Sequence, residues 1–90
     1  MLNYEDCLAL SELEEDEIDA IAEHENLPEM AALELGSYLV HSPEGVPMIK
    51  KMIVDDIENA RARGNLKHAA KLRLVLKHFV EMHPKHRTTG

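Results

Sequence analysis

Residues 28–41 read PEMAALELGSYLVH, and this stretch decides the fold because, wound as a helix, it has little polar surface to offer water. At 100° per residue, Ala31, Ala32, Leu33, Leu35, Gly36, Tyr38, Leu39 and Val40 cover most of the circumference. Only Glu34, Ser37 and His41 share a polar stripe. A helix apolar on nearly every side must be covered by others, so residues 28–41 are predicted to form the centre of a small bundle. Ala32 and Gly36, four apart, leave room on one side for another backbone to come near.

Upstream, Ser11 and Glu14 have the spacing of a capping box, which predicts a helix over residues 11–25. Glu12, Glu15, Asp16, Asp19 and Glu23 fall on one arc of it as an acidic ridge, while Leu13, Ile18, Ala20, Ile21 and Ala22 turn elsewhere. Residues 1–10 read as a lead-in whose Leu8 and Leu10 pack on that helix. Asn26 suits the left-handed residue that ends a helix, and Pro28 suits the first turn of the next. Downstream, Ser42-Pro43-Glu44-Gly45 is a turn by composition. Pro47 opens a third helix, over 47–63, with Ile49, Met52, Ile53, Ile57 and Ala60 as its apolar stripe. Gly64 provides a left-handed stop, Asn65 an N-cap, and a fourth helix runs over 65–83 until Pro84 ends it. Its apolar arc holds Ala69, Leu72, Val75, Leu76, Phe79, Val80 and Met82. The short link makes the last two helices an antiparallel hairpin. The expected fold is therefore all-α: a compact four-helix domain over residues 1–84, its second helix enclosed by the first and by the hairpin, with 85–90 as a fraying tail.

Ninety residues, 44% hydrophobic and 30% charged, suffice for one domain with one core. Aromatic residues make up 3% of the chain, which leaves aliphatic side chains and methionine to fill that core. The single cysteine, Cys7, allows no intrachain disulfide. No apolar run approaches a membrane span, and no basic leader precedes a hydrophobic segment, so a cytoplasmic protein is expected. The net charge of −7 is unevenly spread: residues 1–45 carry 13 acids and no Lys or Arg, and residues 46–90 carry 4 acids and 10 bases, giving −13 and +6. Either the halves attract one another inside one fold, or they form a bipolar docking surface.

Six histidines raise the question of a metal. Carboxylate-bridged di-iron bundles use Glu-x-x-His pairs, and no glutamate here precedes a histidine by three. His78, His83 and His86, with Glu81, make a weak chelating group near the C-terminus, where histidines also suit the helix dipole. No cofactor is called for. His24 and His68 fall beside apolar positions and read as half-buried, hydrogen-bonded rings. Asp56 falls inside the apolar stripe of its helix, where an unpaired carboxylate is costly. Arg63, Arg73, His24 or His68 could pair with it in a buried ion pair. Catalysis has no support: there is no nucleophile–base constellation, phosphate loop or dinucleotide fingerprint, and Cys7 sits among Glu5, Asp6 and Glu12, which oppose a thiolate. Lys67, Lys71, Arg73 and Lys77 crowd the last helix, and a helix–turn–helix could be drawn over 47–83. Thirteen acids in the first half nevertheless count against nucleic acid.

The run IAEHENLPEMAALELGSYLVHSPEGVP, residues 21–47, with HFVEMHP, residues 78–84, resembles a group of small, uncharacterised bacterial helical proteins. The resemblance implies a cytoplasmic helical domain and transfers no residue role. The function expected from the residues is a non-catalytic protein-interaction or regulatory module. Its partner, an unidentified protein, would be met by the acidic ridge (Glu12, Glu15, Asp16, Asp19, Glu23) or by the basic helix (Lys67, Lys71, Arg73, Lys77). A small-ligand or metal-binding bundle is the alternative. A second small stripe, Leu66, Ala70 and Leu74, lies among the bases of the last helix and makes a homodimer possible.

Overall fold

The computed structural model describes residues 3–83. Among them are five helices and no strand: α1 (Tyr4–Ser11), α2 (Glu15–Glu25), α3 (Glu29–Val40), α4 (Gly45–Ala62) and α5 (Leu66–Met82). The all-α expectation holds, but the count of four is corrected to five.

The additional helix comes from the lead-in. Asn3 Oδ1 accepts the Asp6 N–H at 2.8 Å, and Asp6 Oδ2 accepts the Asn3 N–H at 3.4 Å, a reciprocal capping box that starts α1. Ser11 does not start a helix; it ends one. Its hydroxyl donates to the Leu8 carbonyl at 2.7 Å and accepts the Leu13 N–H at 3.1 Å. Glu12 then turns the chain in the left-handed region, φ 66°. The box at the head of α2 uses the next register, with Glu17 Oε1 accepting the Glu14 N–H at 2.8 Å. Glu12 is accordingly off the helix that was expected to carry it.

The other boundaries follow the punctuation. Asn26 is left-handed at φ 57° and Gly64 at φ 78°. Around Gly64, Asn65 N–H bonds the Ala60 carbonyl at 2.8 Å and Gly64 N–H bonds the Arg61 carbonyl at 3.0 Å, the bond pair of a Schellman stop. Asn65 Oδ1 accepts the His68 N–H at 3.2 Å to cap α5. Helix α4 begins two residues before Pro47, which sits in the first turn, where a missing N–H costs nothing.

Helices α2, α3 and α4 form the middle of the packing: α2 lies against α3, α4 and α5, α3 against α1, α2 and α4, and α4 against α2, α3 and α5. The pairing of α4 with α5 across their short link is the most extensive. All five residues of the expected α4 stripe are buried, as are Ala69, Leu72, Val75 and Phe79 of α5. Val80 and Met82, also placed on that arc, are exposed. Helix α3 is not enclosed on all sides, which corrects the reading of its sequence. Ala32, Leu33, Gly36 and Leu39 are buried, but Met30 is exposed and Tyr38 is 70% exposed. Alanine and glycine contribute little area that needs hiding, and a tyrosine keeps its hydroxyl wet, so a helix rich in them needs cover on one face only. That face is set by Gly36. A Cβ there would stand 2.7 Å from Leu13 Cδ1 and 2.9 Å from Ile21 Cδ1, so side chains of the α2 region fill the space expected to admit a backbone.

The molecule measures 41 × 37 × 17 Å. Among the described residues no helix is long and apolar enough to cross a membrane. His86 and the tail 85–90 lie outside the described residues.

Candidate functional site

Three features of the surface and its margins carry polar groups that packing alone does not explain. The first is the outward side of α5. Its core side is set by Ala69, Leu72, Val75 and Phe79, so Leu66, Ala70 and Leu74, at i, i+4 and i+8, run down the opposite side. Leu66 is 67% and Leu74 69% exposed. Lys67, Lys71, Arg73 and Lys77 are exposed around this row. Lys77 pairs with Glu81 at 3.6 Å within the helix, while Lys67, Lys71 and Arg73 enter no ion pair among the described residues. The acidic ridge stands on α2: Glu15, Asp16, Asp19 and Glu23 are exposed there. Glu12, at the α1–α2 corner, has Oε2 3.8 Å from His41 Nε2 instead. The ridge meets α5 directly, with Glu23 Oε1 2.8 Å from His68 Nε2. Asp19 titrates above the usual carboxylate range because of burial and then the charge of Glu29, with Lys71 opposing. The two charged halves thus touch along part of their length and remain open to solvent along the rest.

The second feature surrounds Asp56, which is 2% exposed, as its place in the stripe predicts. The expected ion pair is absent. No bond to Arg63, Arg73, His24 or His68 forms, and Asp56 Oδ2 has no hydrogen-bond partner among the described residues. The histidines are engaged elsewhere: His24 Nδ1 is 2.9 Å from Glu25 Oε2 and His24 Nε2 3.3 Å from Asp55 Oδ2, while His68 takes Glu23. Burial, then the charge of Glu23, push Asp56 up to about 6, against the opposing pull of His24. Burial alone would lower His24, but its bonds to Glu25 and Asp55 and the charge of Asp56 outweigh that and raise it. Asp55, bonded to His24 and 3.3 Å from Lys51 Nζ, is lowered. Both histidines are half-buried and hydrogen-bonded, as their positions imply.

The third feature escaped the sequence reading. Glu17 is 1% exposed, with Oε1 held by the Glu14 N–H and Oε2 without a hydrogen-bond partner among the described residues. Burial raises its pKa, although the Glu14 N–H and His78 draw it the other way. His78 Nε2 lies 3.5 Å from Glu14 Oε2 without making a hydrogen bond. Glu14, Asp16 and Glu17 on one side, with Lys71, Leu74, Val75 and His78 on the other, line a notch of about 310 Å³ between the head of α2 and the middle of α5. The available signal was the spacing of Glu14 and Glu17: read as the box that starts α2, it turns Glu17 away from the ridge and toward the core.

His83 stacks on Phe79 with ring centroids 4.6 Å apart, so the weak chelating group of His78 and His83 is drawn apart by different neighbours. Among the described residues no three His, Cys, Asp or Glu side chains come together as a metal-holding group. No protein-family model, curated protein or solved structure matches the chain, so function is argued from these surfaces alone.

Proposed function

We propose that the chain is a non-catalytic interaction module whose docking surface is the outward side of α5, and that it receives an acidic amphipathic helix of another protein. The observation that carries this is the pair Leu66 and Leu74, more than two-thirds exposed in a row flanked by Lys67, Lys71, Arg73 and Lys77. An apolar row at i, i+4 and i+8 matches the anchors of a helix laid alongside, and the bases select acidic flanks. Nucleic acid fits less well, because Asp16 and Glu23 border the same helix and would repel phosphate. A second copy of the chain also fits less well. The outward side of α2 has the required charge but only Ala22, half-buried, to receive two leucines. The single thiol, Cys7, accords with an encounter in the cytoplasm.

The test uses two synthetic helices with leucines at the matching spacing, one flanked by glutamates and one by lysines, followed by fluorescence anisotropy. The glutamate helix binds at low salt and weakens at least about tenfold in 0.5 M salt, where the Debye length falls well below 10 Å. Leu66→Glu with Leu74→Glu abolishes binding. Equal binding of the lysine helix, or indifference to the leucine changes, rejects the reading.

A further inference from the structure

We infer that the notch between the head of α2 and the middle of α5 binds the charged end of an aliphatic chain, an ammonium or guanidinium group seated against Glu17. One oxygen of this carboxylate is fixed by the Glu14 N–H at 2.8 Å, and the other is buried with no hydrogen-bond partner among the described residues. Buried acceptors are nearly always satisfied in folded proteins, and an unsatisfied one next to an open notch is completed when a donor arrives. The surroundings specify the donor's charge. Glu14, Asp16 and Glu17 face a single ammonium, Lys71, which is exposed and closes no ion pair among the described residues. Glu14 Oε2 meets only His78, at a distance too long for a hydrogen bond of ordinary strength. Leu74 and Val75 supply apolar wall for the methylenes that carry the charge.

A metal ion suits the notch poorly. Zinc needs three or four ligand atoms converging at about 2 Å, and no three such side chains converge among the described residues. N–H donors bridge heavy-atom distances of about 2.7–3.2 Å and point in several directions, so they reach carboxylates that are further apart. Two sources could present this chemistry: a free polyamine, or a lysine or arginine side chain on a bound peptide.

Calorimetric titration of the full chain at fixed ionic strength tests the site with butylguanidinium, spermidine, an arginine-containing peptide and zinc chloride. Butylguanidinium is expected to bind, and Glu17→Gln, which keeps an acceptor for the Glu14 N–H, to weaken it by at least about tenfold. Lys71→Ala strengthens binding, and Glu58→Gln, on the exposed side of α4, leaves it unchanged. Glu14→Gln, an exposed substitution that leaves the core alone, weakens binding severalfold and secures the conclusion if Glu17→Gln is unstable. Spermidine or the peptide binding more tightly than butylguanidinium identifies the source. Affinity unchanged in both glutamine variants, or binding of zinc alone, overturns the inference. Neither outcome tests the docking of an acidic helix, whose anchor Leu66 lies outside the notch.

Discussion

Asp56 stands on the packed side of α4, where an aliphatic residue would be expected, and its Oδ2 has no hydrogen-bond partner among the described residues. Its charge is therefore a cost in the folded state, and removing the charge should raise stability. Asp56→Asn is expected to stabilise the chain by about 1–3 kcal/mol at pH 8, because burial holds the carboxyl at about 6 instead of 3.8, at about 1.36 kcal/mol per pH unit. Urea denaturation at pH 8 measures this. A loss of stability would show instead that the carboxylate is held by a partner. The sequence disclosed the position of Asp56 through its angle in the stripe, but not that its Oδ2 would be left without a hydrogen-bond partner among the described residues. Whether His24 and His68 reach Asp56, or Asp55 and Glu23 beside it, is decided by how α2, α4 and α5 cross, and helical periodicity does not contain that angle.

At the scale of the elements, the two glycines that bracket α4 answer to different demands. Gly64 needs its positive φ but has nothing within 4 Å of where a Cβ would be, so Gly64→Ala costs about 1 kcal/mol. A Cβ on Gly45 would run into the Leu39 carbonyl, backbone that cannot turn aside. Gly45→Ala is expected to cost more than about 3 kcal/mol. Thermal unfolding of the two variants should place them in that order, and near-equal losses would show that the α3–α4 corner yields.

This contrast marks what was legible in the chain. Gly64, Asn65, Asn26 and the α4 stripe were readable because each acts within a few residues of itself. The tight corner at Gly45 involves α3 folding back, and Ser11 was misleading because Ser11-x-x-Glu14 fits the box rule, whereas the pair that starts α2, Glu14-x-x-Glu17, lacks the usual serine or threonine. Only the burial of Ser11 and the capped start at Asn3 separate them. The apolar row on α5 was visible as a second stripe. The notch was not, because it needs Glu17 and His78 brought together from opposite ends of the chain.

Across the whole molecule, the ion pairs described between different helices or their connections are all made by histidines: His24 with Asp55, His41 with Glu12, His68 with Glu23, and His78 with Glu14. The lysine pairs described, Lys51–Asp55 and Lys77–Glu81, stay within one helix. A carboxylate holds a protonated imidazole more strongly than a neutral one, so such a tie favours acid pH. The shifted groups act in the same direction. His24 is raised, so its contribution is complete below its ordinary value of 6.5 and is lost as pH rises through its folded value. Asp56, ordinarily 3.8 and about 6 here, binds its proton more tightly when folded, and that stability is lost as pH rises through 6. Asp55 is lowered and works the other way, but below 3.8. Stability should therefore fall between pH 4 and 8, by up to about 3 kcal/mol from Asp56 alone, most of it between its ordinary 3.8 and its folded value of about 6, and Asp56→Asn should flatten the slope there. Melting temperatures across that range decide it; a flat or rising profile for the parent chain refutes the assignment.

At 17 Å through its thinnest direction, the domain is only about two helices deep, so no part of its buried core lies far from the surface. Leu74 on the rim and Val75 one position along belong to the same turn of α5 and line the same recess as Glu17. A visitor pressing on the outer row would thus be felt by an internal carboxylate through a single turn of backbone, and a proton or ammonium captured there would be felt by the visitor. In so shallow a body, recognition and internal charge are neighbouring variables, and a long relay is unnecessary to join them.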